Sequence, residues 1–370
     1  TINKIKINGV EYDLETNDKD IWVYRGDTID KDDEDNNLLH DAVAAGEDSA
    51  AKAKGAVAVG NGYKVSDTET IKGATALGVS SVALGTESNA KTDYSIAIGN
   101  ETVAGSEVGT GEQKVINKNA IAIGNGAQAL GENSNAFGYQ ADAASFKNAT
   151  AIGTSSQAFG EESTAIGNNT KVGTFEDKTE DGKTVRVYTA AKQATAVGSQ
   201  SAVTADNGSA FGYKANASGA NGSAFGNEAQ AGASATALGN KSIATGANAT
   251  AVGNESKVEA GYGTAVGDES LVQGTNGSAF GYKAQVTGAN GSAFGYNAQA
   301  VANGTAIGDN AKVTVGYGTA IGSAAEATAA NGTALGNGAK ATNANAVALG
   351  DGSVTEAAVA TASYQIDDKT

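Results

Sequence analysis

A chain of 370 residues is long enough for two or three ordinary domains. This one has no Pro, Met or Cys, a single Trp, 51 Gly and an apolar fraction made largely of Ala, which excludes one deep core of large side chains and predicts a thin, repetitive interior. Without Cys there are no disulfides and no thiolate chemistry, and the net charge of −16 disfavours nucleic acid and anionic membrane as partners of the surface.

Residues 1–54 read as an N-terminal cap and acidic linker. The segment KIKINGVEYDL carries an Asn-Gly turn between two short β arms, Ile21–Tyr24 is a short strand holding the Trp, and Leu38–Ala45 predicts a turn or two of helix. A cap is expected because the end of a stacked β array leaves strand edges open. The run DKDDED at Asp30–Asp35 lacks the central Gly and terminal Glu of a calcium loop and reads as solvated linker. The chain opens at Thr1 with no signal peptide and contains no apolar run of membrane-spanning length, which predicts a mature or excised fragment.

From 55 to 352 the chain repeats. The pattern Ala-apolar-Gly recurs at Gly85, Gly99 and onward to Gly350, at steps of fourteen and occasionally thirteen from Gly198, with a weaker glycine seven residues later in many lines. Each line is therefore strand, turn, strand, turn, and Asn-Gly corners such as Asn276-Gly277 and Asn290-Gly291 suit positive φ. One line makes one coil of a parallel β-solenoid. Two insertions interrupt it, near 103–117 and at 171–193. The second reads as a hairpin with arms Thr174–Lys178 and Thr184–Tyr188 about Asp181-Gly182.

The two strands of a coil differ. After the glycine, stretches such as Glu228-Ala229-Gln230-Ala231 alternate polar and small residues, so one face meets water. Before the glycine, triplets such as Thr236-Ala237-Leu238 and Ser278-Ala279-Phe280 carry no charge, which predicts a sheet covered on both faces. The nearest cover is another copy of the chain. Ala237, Ala251, Ala265, Ala279, Ala306 and Ala320 are the expected contacts, because small residues let backbones approach closely.

The lines Ala235–Ala249 and Gly304–Lys312, with most of the chain from Ala56 to Gly352, resemble the heads of trimeric autotransporter adhesins of Gram-negative bacteria, of the Yersinia adhesin type. The resemblance implies an all-β, left-handed parallel β-roll assembled as a homotrimer. It also implies a bacterial cell-surface location, with a stalk and a C-terminal β-barrel anchoring the head in the outer membrane. Neither stalk nor barrel is present here, and residues 353–370 are read as the start of a neck or connector. The implied function is cell adhesion and virulence through trimeric avidity. Implied partners are a host cell-surface receptor, such as an adhesion molecule of the immunoglobulin type, or a matrix protein such as collagen or fibronectin. A structural, self-associating biofilm fibre is the alternative.

Within the repeat, the predicted hairpin concentrates anchor-type side chains, so Phe175, Lys178, Asp181, Arg186 and Tyr188 are the receptor-binding candidates. Enzymatic activity is not expected: His40 is the only histidine, and neither a catalytic triad nor a His-rich metal site has its parts. No cofactor or metal is expected either. The Phe-Gly-Tyr lines at Phe137–Tyr139, Phe211–Tyr213, Phe280–Tyr282 and Phe294–Tyr296 predict aromatic stacking between adjacent coils.

Overall fold

The computed structural model describes residues 4–7, 10–13, 24–25 and 42–357, apart from 47, 65–69, 109–114, 144–145 and 181–182. His40, Asp30–Asp35, Trp22, Asp181 and the connector residues beyond 357 lie outside the described residues. Two compact units divide the chain, Thr1–Asn207 and Gly208–Thr370. Each is an all-β parallel solenoid, and together they hold about 20 turns spaced about 14 residues apart.

In the first unit, three-residue strands from Val43–Ala45 and Val57–Val59 onward to Thr195–Val197 stack in parallel, in register. A second sheet of two-residue strands runs from Ala50–Ala51 to Lys171–Val172 and Ala202–Val203. The second unit repeats the arrangement from Ser209–Phe211 to Val347–Leu349 and from Asn216–Ala217 to Lys340–Ala341. Strands this short, paired only to their neighbours above and below, gain stability by stacking rather than from a deep centre.

Interior volume explains the composition. In the coils from Val57–Val59 to Thr333–Leu335 the middle residue of the three-residue strand is an Ala with no exposed surface, as at Ala83, Ala97, Ala237 and Ala265, and it faces Ala or Val of the second sheet, such as Ala90, Val258 and Val272. Buried serines at the corners donate to the carbonyl three residues back, as Ser134 Oγ does to Gly131 O at 2.7 Å, so these hydroxyls are paired inside the coil. The glycine that ends each three-residue strand is required by geometry. Gly85 has φ +122°, and a Cβ placed there would sit 2.6 Å from the carbonyl oxygen of Gly99 in the next coil.

Several sequence expectations change. Val43–Ala45 is a strand, not part of a helix, because its edge pairs with Val57–Val59. Coil pairing therefore starts before residue 55. Tyr24–Arg25 pairs antiparallel with Ala44 and Val43, so it occupies the open edge of this first coil. The expected N-terminal hairpin forms between Lys4–Ile7 and Val10–Asp13.

The insertions are also shorter than expected at their starts. Val103–Ala104 and Lys171–Val172 remain in the coil, and the ejected parts are antiparallel hairpins, Ser106–Val108 with Val115–Asn117 and Thr174–Glu180 with Lys183–Thr189. A third hairpin pairs Tyr63–Lys64 with Thr70–Ile71. All three belong to the first unit.

Candidate functional site

A period of two assigns alternate residues of a strand to opposite faces, and the coil interior is too narrow for anything but the small one. The structure therefore corrects the expected interface. Ala237, Ala251, Ala265, Ala279, Ala306 and Ala320 are fully covered by their own chain and offer no surface to a second one. The residues that follow them point outward instead. Leu238 is 48% exposed, and Phe225, Phe280, Phe294, Ile307 and Leu335 are exposed in the same row. The sheet is thus dry on one face only, and its outer face is an apolar row flanked by a row of Thr and Ser such as Thr236, Ser278 and Ser292. The signal was in the sequence: the apolar residue of the Ala-apolar-Gly triplet is too large for the interior.

Aromatic stacking is present along this row. Phe211 stacks on Phe225 and Phe280 on Phe294, each pair with ring centroids 5.0 Å apart, and in the turn past the glycine Tyr282 stacks on Tyr296 at 5.4 Å.

The long hairpin is the second candidate surface. Its arms pair Phe175 with Tyr188 and Asp177 with Arg186, which puts these four residues on one face. At the base, Tyr188 lies 5.0 Å from the Phe159 ring and Phe175 lies 5.7 Å from it, both edge-on. Phe146 meets Tyr188 at 5.7 Å. Phe159 is the largest fully buried side chain among the described residues. Burial, chiefly, pushes the Tyr188 hydroxyl pKa above its ordinary value, with Asp142 adding to it. Phe175 and Tyr188 are therefore already engaged by their own coil, which revises their expected role as free receptor anchors.

Arg186 remains on the surface. Its guanidinium lies 4.1 Å from the Phe175 ring centroid, and its Nε donates to Asp177 Oδ1 at 3.1 Å; that bond raises its pKa further. Lys178 is exposed. The structure thus brings Phe175, Arg186 and Tyr188 together, with Lys178 nearer the tip, while Asp181 lies outside the described residues. Phe159 and Phe146, which hold the hairpin to the coil, carry no motif that marks them in the sequence.

The shorter hairpin 106–117 leans on the coil through polar bonds: Ser106 Oγ and Asn117 Nδ2 both donate to Leu130 O, at 2.7 and 3.0 Å. Val115 and Ile116 stay exposed on it. Among the described residues, no group of His, Cys, Asp or Glu is placed to hold a metal ion.

A third feature lines one corner of the coils. The residue leading into each three-residue strand adopts positive φ and is usually Asn, and the side chains join in ladders: Asn276 Nδ2 to Asn290 Oδ1 and Asn290 Nδ2 to Asn303 Oδ1, both 3.2 Å. Such a molecule is a regular scaffold that presents faces, corners and hairpins for contact.

The YadA head domain repeat matches the chain in segments spanning residues 40–353, more than half of its length, and the chain belongs to that family of adhesin heads. The three longest gaps between matched segments, at 63–72, 103–115 and 171–189, overlap the three hairpins. No curated protein matches the chain. Adhesin heads of this type are displayed on the cell surface, and neither the family nor the solenoid is enzymatic in kind.

Proposed function

We propose that this chain is the binding head of a homotrimeric surface adhesin that attaches a bacterium to a host receptor or matrix protein. The observation that carries the reading is the outward apolar row, from Phe211 through Leu238 and Phe280 to Leu335. A continuous row of large apolar side chains on a surface this acidic is a stable arrangement when another surface covers it. Two further copies presenting the same row supply that cover, because homo-oligomers close by symmetry. The left-handed roll, the stalk and the outer-membrane barrel belong to this proposal through family membership.

The receptor contact is assigned to the long hairpin, with Lys178 and Arg186 reaching the partner and Phe175 and Tyr188 fixing the arm against Phe159. Three copies of a weak site on one fibre raise the attachment strength without any new contact.

The test has two parts. Replacing Leu238 and Phe280 together with Glu converts the assembled protein to single chains in sedimentation velocity, while far-ultraviolet dichroism stays β-rich. Deleting 174–189 leaves the assembly intact and reduces attachment to epithelial cells and to surfaces coated with collagen or fibronectin. If the deleted protein adheres as well as the parent, the hairpin is not the receptor site. If only fibre-to-fibre aggregation falls, the chain is the self-associating structural protein instead.

A further inference from the structure

The corner leading into the three-residue strands of the second unit holds Asn or Ser in every coil but two. Asn is the usual occupant because a side chain that bonds locally tolerates positive φ, whereas a bulky residue there is strained. Tyr262 and Tyr317 nevertheless hold this position at φ +59° and +62°. Neither ring is packed away: they are 65% and 68% exposed. Strain that brings no burial does not serve the fold.

What lies between them is equally regular. Four coil steps separate the two tyrosines, roughly 19 Å at the usual strand spacing. The intervening corners carry Asn276, Asn290 and Asn303, all exposed and joined amide to amide. Each carboxamide has two N–H donors and an oxygen with two lone pairs, so the ladder leaves one donor and one acceptor per residue for a ligand. Beside the asparagines stand Thr275, Ala289 and Ala302, and the stretches 261–263, 274–277, 288–291, 301–304 and 315–318 along this corner carry no charge. Glu259, three residues before Tyr262 in the same turn, is occupied by Lys257 at 2.6 Å and by Gln273 at 3.0 Å.

We propose that this corner is a binding site for a neutral oligosaccharide lying along the coil stack. The apolar C–H face of a sugar ring packs on a tyrosine at each end. Its hydroxyls, donors and acceptors at once, pair with the free half of the amide ladder between. A small-residue, uncharged floor lets the chain lie close, and the chain's overall charge of −16 opposes acidic glycans. The site is independent of the hairpin and stands or falls separately from it.

The test uses the whole chain, as it assembles, against immobilised maltohexaose, cellohexaose, chitohexaose and N-acetyllactosamine hexamers, with a heparin hexasaccharide and oligosialic acid as anionic counterparts, and calorimetry on any neutral sugar retained. The variant is Tyr262→Asn with Tyr317→Asn, which restores the corner's usual residue. The proposal expects at least one neutral sugar to bind, a tenfold or greater loss in the double variant, and a melting temperature equal to or above the parent's. Failure of every neutral sugar to bind at millimolar concentration overturns it. So does equal binding by the variant, binding confined to the anionic sugars, or a melting temperature that falls in the variant.

Discussion

The two units are built on the same coil and differ in what they allow to leave it. The first ejects three hairpins between its coils, while the second runs from Ser209 to Leu349 at steps of thirteen or fourteen residues without a break. The pairing around an insertion is unaffected: Lys171–Val172 and Ala202–Val203 are parallel neighbours across 29 intervening residues. A coil needs only its strands, glycines and small interior residues to stack. Inserted chain adds a loop-closure cost that grows slowly with length. Contact surfaces can therefore be added to the first unit as arms, whereas in the second they arise from the side chains of the repeat itself.

The largest expected effect breaks what the units share. Ala265→Glu or Ala97→Glu buries a charge in an interior with no partner for it, and each unfolds the coils around it; loss of the β signal in thermal melts checks this in either unit. Next is the hairpin anchor. Phe159→Ala removes a fully buried ring at a cost of about 3–5 kcal/mol, and it frees the 174–189 arm to proteolysis while the second unit stays resistant. Gly85→Ala forces both a positive φ and a backbone clash, with an expected cost of about 2–3 kcal/mol in the melting of the first unit.

The smallest effect is electrostatic. The hydrogen bond from Lys118, 2.7 Å away, and then that from the Val79 amide hold the Asp93 pKa below its ordinary value. This group therefore adds stability above its unfolded pKa of about 3.9, and that contribution is lost as pH falls through its lower folded value. A Lys118→Ala variant should flatten the acid limb of the first unit's stability curve slightly and leave the second unit's unchanged.

The coil itself was legible from residues: its fourteen-residue line, its two strands, its Asn corners and the paired arms of the long hairpin, Thr174–Lys178 and Thr184–Tyr188, all have local signatures. Which face of the Ala-apolar-Gly strand lies inside was not settled by alternation, since a period of two is unchanged when the faces are exchanged. Volume decides it, and Leu238 rather than Ala237 is outside for that reason. Phe159 escaped notice because its partners Phe175 and Tyr188 come from an insertion further along the chain. The strain at Tyr262 and Tyr317 is likewise invisible until the backbone assigns them the angles that their neighbours give to Asn.

Whether two further copies of the chain cover the outward apolar row is read from the mass of the purified protein in sedimentation equilibrium. The expected particle has three times the 36.4 kDa chain mass, is reduced to one chain by Leu238→Glu with Phe280→Glu, and stays a trimer when 174–189 is deleted. A stable single chain at micromolar concentration, with the Leu238 row intact, would contradict it.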